Sequence, residues 1–125
     1  MYSKIIIALG FVFCTSLNAH EMTPTYPKWE ISGVDDVKKT TMRLWNSRED
    51  VRYYEIGLFS DDWKPIPFVT AYRILPVGYL KEVKFDVYIT ENNIKRARYI
   101  CSLSKLRSSN ESQTLLATRI CSKFK

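Results

Sequence analysis

Apolar and polar residues alternate along this chain with the two-residue period of half-buried strands, and no convincing amphipathic helix competes. A helix across Asn46–Asp50 and the run after it is the one alternative, disfavoured by the Tyr, Val, Ile and Phe close to Gly57. The cleanest run is Tyr79–Thr90, YLKEVKFDVYIT. It sets Val83, Phe85, Val87 and Ile89 on one face and Glu82, Lys84, Asp86 and Tyr88 on the other, the signature of an antiparallel strand with one face in the core. Lys38–Trp45 alternates in the same way, with Thr40, Met42 and Leu44 opposed to Thr41, Arg43 and Trp45. Val51–Phe59 points Tyr54, Ile56 and Leu58 inward. Shorter β-type runs occur at Trp29–Ile31 and Phe68–Leu75, the latter ended by Pro76 and Gly78. Glu21–Lys28 carries Pro24 and Pro27, which suits an extended segment at a sheet edge, where missing N–H donors do no harm.

Polar turns separate these runs: Gly33–Asp36, Asn46–Asp50, Ser60–Pro67 and Glu91–Lys95. About seven short strands with polar turns and no repeat predict an all-β, immunoglobulin-like antiparallel β-sandwich.

The last segment adds chemistry. Arg96–Cys121 reads as two β-type runs around a turn at Asn110–Ser112, and folding it about Glu111 pairs positions symmetrically. Ser108 then faces Thr114, Leu106 faces Leu116, Ser104 faces Thr118, and Cys101 lands opposite Cys121. Directly opposed cysteines on antiparallel strands come within disulfide range when they form a closely spaced pair. Such a bridge contributes about 3 kcal/mol by restricting the unfolded chain, a useful amount for a small core.

The compartment follows from the other end. Met1–Ala19 has a positive start at Lys4, an apolar run from Ile5 to Phe13 and a polar, small-residue finish, the layout of a secretory signal peptide cleaved after Ala19. The apolar run is too short to span a bilayer, so no transmembrane segment is expected in the mature chain. The organisation expected is therefore a leader over 1–19 and one sandwich domain over 20–125, in a periplasmic or extracellular location. Cys14 leaves with the leader, and an even pair of cysteines in an oxidising compartment reads as a disulfide.

Charge and composition exclude more than they assign. The chain has 19 basic and 13 acidic residues, with only Lys95–Arg98 dense in cations. A nucleic-acid partner needs a concentrated basic stripe with stacking aromatics, so none is expected. The single histidine, His20, falls at what reads as a flexible end, where an imidazole makes a poor base, so no Ser-His-Asp or Cys-His site is expected in the folded body. The adjacent carboxylates Asp61–Asp62 and Glu49–Asp50 lie in turns and do not read as a converging catalytic pair. No enzyme and no cofactor are expected. Once exposed as the first mature residue, His20 offers an α-amino and an imidazole nitrogen to Cu(II), against the plainer reading of a solvated end. Among the aromatics, Trp63 in a polar turn and Tyr88 on the solvent face of the best strand are the candidates for a contact surface.

Tyr99-Ile100-Cys101 matches the Tyr-x-Cys pattern of the sixth immunoglobulin strand, although the bridge expected here joins the last two strands. The order of features over Trp29–Ile89 resembles the first, immunoglobulin-like domain of periplasmic pilus-assembly chaperones. The matching places are a strand ending Leu44-Trp45-Asn46-Ser47, the Pro67–Leu75 segment, and Arg73-Ile74-Leu75-Pro76-Val77-Gly78 leading into Leu80–Ile89. The second domain of that family, with its carboxylate-binding cleft, is not expected in 125 residues, and no carboxylate-binding residue is carried over. The resemblance implies partner binding by strand addition at a sheet edge. The expected function is accordingly non-catalytic protein binding through an edge strand or aromatic patch, chaperone-like in character. The alternative is a structural or adhesive component of a virion or cell surface.

Overall fold

Alternation of this kind buries one face of each strand, and two such sheets then close on each other. The computed structural model describes residues 20–105 and 117–125. Among these residues nine strands follow in order: β1 (Glu21–Thr23), β2 (Glu30–Ile31), β3 (Val37–Asn46), β4 (Tyr53–Phe59), β5 (Val69–Thr70), β6 (Ile74–Pro76), β7 (Lys81–Thr90), β8 (Tyr99–Lys105) and β9 (Arg119–Lys123). The first sheet runs β1-β3-β7-β5, with β2 also paired to β3, and the second runs β6-β4-β8-β9. All pairings are antiparallel. This is the order of an immunoglobulin constant-type sandwich, A-B-E-D against C-F-G, with β6 added beside β4.

The inward faces are those the alternation predicts. Met42, Leu44, Tyr54, Ile56, Leu58, Phe85, Val87, Ile89 and Ile100 are buried between the sheets. Each large aliphatic side chain placed there contributes about 1.5–3 kcal/mol. Thr40 is buried in line with Met42 and Leu44, as its position on that face requires. On the outer face of the first sheet, Thr41 Oγ1 donates to Asp86 Oδ1 at 2.5 Å, and Arg43 reaches diagonally to Glu82 at 3.7 Å.

The cysteine register is also as read. β8 and β9 pair Cys101 with Cys121 and Leu103 with Arg119, and Ser104 N donates to Thr118 O at 2.9 Å. Cys101 and Cys121 form a disulfide with their Cα atoms 4.1 Å apart, as in the closely spaced pairs of an antiparallel ladder. The turn at Asn110–Ser112 and the Ser108–Thr114 and Leu106–Leu116 pairs lie outside the described residues.

The strand count exceeds seven because both flanks of the first sheet are broken. On one side, β1 pairs with Arg43–Trp45 and β2 with Lys38–Lys39, and the segment with Pro24 and Pro27 interrupts them. Within that interruption Thr25 O accepts from Lys123 N of β9 at 3.1 Å, so the flank touches both sheets. On the other side, Phe68–Leu75 is not the single strand its composition suggests. Val69–Thr70 pairs with β7, the chain crosses at Ala71–Arg73, and Ile74–Pro76 pairs with β4 in the opposite sheet. Arg73 O fixes the crossing by accepting from Ile56 N at 2.8 Å.

Candidate functional site

The aromatic candidates fall on different sheets. Trp63 sits in the turn after β4, which closes through Ser60 N to Lys64 O at 2.9 Å and Trp63 N to Ser60 O at 3.0 Å. The Ser60 hydroxyl donates to Asp62 and holds its carboxyl below the usual range. Trp63 takes the left-handed position of this turn, φ 63°, which a bulky side chain adopts only against steric cost. Its ring lies flat on Tyr99, with centroids 4.3 Å apart and planes 3° from parallel, and tilted toward Phe59 at 6.0 Å. Trp63 nonetheless stays 48% exposed. Tyr99 is thus a stacked tyrosine of the outer face.

Glycine makes room for this shelf. A Cβ at Gly57 would fall 2.7 Å from Phe59 Cε2, so the bare backbone lets that ring fold back across the sheet. Arg119 covers the ring, its guanidinium carbon 5.4 Å from the centroid. The disulfide continues the same outer face, Cys101 lying opposite Gly57 on one side and Cys121 on the other.

Tyr88 belongs to the first sheet and is half-buried. It lines a cleft of about 490 Å³ between the crossing segment and β7, together with Ala71, Tyr72, Leu75, Val83 and Phe85. The cleft exists because β5 is so short. Among the described residues it covers only Val87 and Tyr88 of β7. In an antiparallel ladder, alternate residues of β7 turn their backbone groups away from β3. The Thr70 hydroxyl takes one of these, donating to Asp86 O at 2.8 Å. Lys84, two residues earlier, therefore offers its backbone N–H and C=O to the open edge. Leu75 and Phe85 form an apolar floor continuous with the core, and Val69, Tyr72 and Ile74 are exposed beside it.

His20 corrects the sequence reading most directly. It is not a solvated end but 1% exposed, inserted between the sheets. Its Nε2 lies 2.8 Å from Ser102 Oγ and 3.2 Å from Ser102 O, its Nδ1 3.4 Å from Thr118 Oγ1, and its ring 4.4 Å from that of Tyr54. Burial lowers its pKa, the Ser102 carbonyl opposes that, and the positive Arg48 lowers it further. Beyond it, Tyr54 OH donates to Asn46 Oδ1 at 2.5 Å, while Asn46 Nδ2 donates to Val51 O at 2.7 Å and Val77 O at 2.9 Å. Arg48 N reaches the same Oδ1 at 2.9 Å, and its guanidinium is held by Asp50 at 2.9 and 3.1 Å. This network ties β3, β4, β8 and the segment before β7 at one end of the sandwich. Alternation marks Tyr54 as inward, whereas Asn46 and Arg48 read in sequence as residues of a polar turn.

Among the described residues no group of three or more His, Cys, Asp or Glu is placed to hold a metal ion, and no helix is long and apolar enough to cross a membrane. These features define a disulfide-bonded, immunoglobulin-like β-sandwich. No protein-family model matches the chain, and no curated protein matches it either.

Proposed function

We propose that this chain is an exported, non-catalytic protein-binding module that captures an extended segment of a partner on the open edge of β7. The carrying observation is the conjunction at Glu82–Asp86 of outward backbone groups with an apolar cleft. An added strand takes its hydrogen bonds from the edge and its specificity from a pocket for alternate side chains. Here the Leu75–Phe85 floor accepts one apolar side chain, with Tyr72 and Tyr88 at its walls. The Cys101–Cys121 bridge and the leader-like Met1–Ala19 support an oxidising compartment outside the cytoplasm.

The test is amide hydrogen exchange on the isotopically labelled protein, mixed with members of a library of extended apolar peptides selected for binding. Bound peptide should protect the Lys84 and Asp86 amides, and Lys84→Pro should abolish binding while the fold remains. Peptides that bind without protecting those amides would sink the edge assignment. Concentration-dependent protection without peptide, from a second copy on the edge, would favour a self-assembling surface component instead.

A further inference from the structure

We propose a second site, independent of the edge of β7: Trp63 and the cleft beside it bind an acidic saccharide. One ring face is stacked on Tyr99 and parallel to it, while about half of the residue stays open to water. A rigid, flat, half-exposed indole is a platform for another flat apolar face. The axial C–H groups of a pyranose supply one, carrying partial positive charge that suits the negative face of the ring.

Asp62 and Lys64, the chain neighbours of Trp63, line a cleft of about 430 Å³ whose buried floor is Ile66; the indole lies beside this cleft and does not line it. That volume lies in the range of small-ligand sites. Asp61 and Asp62 line it as acceptors for sugar hydroxyls. Each is paired, Asp61 with Arg98 at 3.6 Å and Asp62 with Lys64 at 3.3 Å, so the two pairs are locally neutral. Lys95 and Arg96 line the same cleft, and among the described residues neither pairs with a carboxylate; Arg96 is oriented by a bond to Asn93 Oδ1 at 2.7 Å. The excess positive charge selects a sugar carrying a carboxylate. A single-stranded nucleic acid also uses stacking and cations, but over a run of successive bases and phosphates; this cleft is short and lies beside a single exposed indole.

The strained backbone at Trp63 fits this use. A left-handed turn position ordinarily goes to glycine or asparagine, so the indole is held there at a conformational cost. Trp63→Gly removes the platform and relieves the backbone together, which makes it a clean probe.

The experiment is calorimetric titration of the whole protein with trigalacturonate, trimannuronate, cellotriose, maltotriose and a short oligothymidylate. Binding of at least one uronate trimer, tighter than either neutral trimer, is expected. Trp63→Gly should weaken it at least tenfold with the thermal transition retained, and the Lys95→Ala/Arg96→Ala double variant should erase the preference for acid. That double variant alters exposed side chains, so it keeps the test decisive if Trp63→Gly fails to fold. Failure of both uronates at millimolar concentration, equal binding of neutral and acidic trimers, an unaffected double variant, or tighter binding of the oligothymidylate would each overturn the proposal.

Discussion

The Tyr54 hydroxyl donates to Asn46 Oδ1 at 2.5 Å inside the sandwich, joining β4 to the end of β3 where both side chains are fully buried. Asn46 then spends both amide hydrogens on the carbonyls of Val51 and Val77. Asn46→Ala leaves those two carbonyls and the phenol without this partner, whereas Tyr54→Phe removes one donor from an oxygen that keeps Arg48 N–H. We therefore expect Tyr54→Phe to cost about 1–2 kcal/mol and Asn46→Ala about 3 kcal/mol or more, read from urea midpoints. Equal costs would mean that the amide does not organise this end. Burial also raises the Tyr54 phenol to about 12, so stability is complete below pH 10 and falls as pH rises toward 12. Tyr54→Phe should remove that alkaline loss.

His20 sets the opposite limb. Its folded pKa lies below the ordinary value of 6.5, chiefly through burial, so the unfolded chain binds the proton more readily. Stability is then full above pH 6.5 and declines as pH falls below it, levelling once the folded form also protonates. His20→Gln is expected to flatten this slope between pH 7 and 5. An unchanged slope would assign the acid sensitivity to carboxylates.

The disulfide lies on the outer face of its sheet, apart from the core cluster between the sheets, although Cys101 is itself buried there. Replacing both cysteines by serine should cost about 3 kcal/mol from loop closure, with a further cost for the hydroxyl placed at buried position 101, and leave the strand register intact. The native protein should show two thiols between Cys101 and Cys121 only after reduction, by intact mass with alkylation. Two free thiols before reduction would contradict the bridge.

Phe124 stacks on Trp29, centroids 4.5 Å apart, and its N–H donates to Arg98 O at 2.8 Å. It is buried and fastens the end of β9 to the edge segment before β2. Phe124→Ala is expected to cost about 3 kcal/mol and to speed exchange of the Lys123 amide, which bonds to Thr25. A loss below about 1 kcal/mol would mean the aromatic pair is a surface ornament of the sandwich.

Much of this fold can be read before it is seen, because a strand's two-residue period fixes its faces. Thr40, Met42, Leu44, Tyr54, Ile56 and Leu58 all lie where alternation puts them, and the symmetry about Glu111 fixes the Cys101–Cys121 pair. Phe68–Leu75 defeats that logic. Its alternation is compatible with either sheet, and only the Arg73–Ile56 bond and the pairings of β5 and β6 reveal the crossing. His20 is illegible for another reason: its partners Tyr54, Ser102 and Thr118 are far away in sequence, and a lone residue has no period. Trp63 and Tyr88 were visible as unusual aromatics, but not that one lies on the second sheet and the other in the edge cleft of the first.

The brevity of β5 has a mechanical consequence. A strand docked on the open edge would pull on β7, which is joined to β3 by ten consecutive residue pairs. Tension along the docked strand would load those pairs in shear, all at once, instead of peeling them one by one. A domain built this way would yield at its contact with the partner before it yields internally, a sequence of rupture that single-molecule stretching of a tethered complex would resolve.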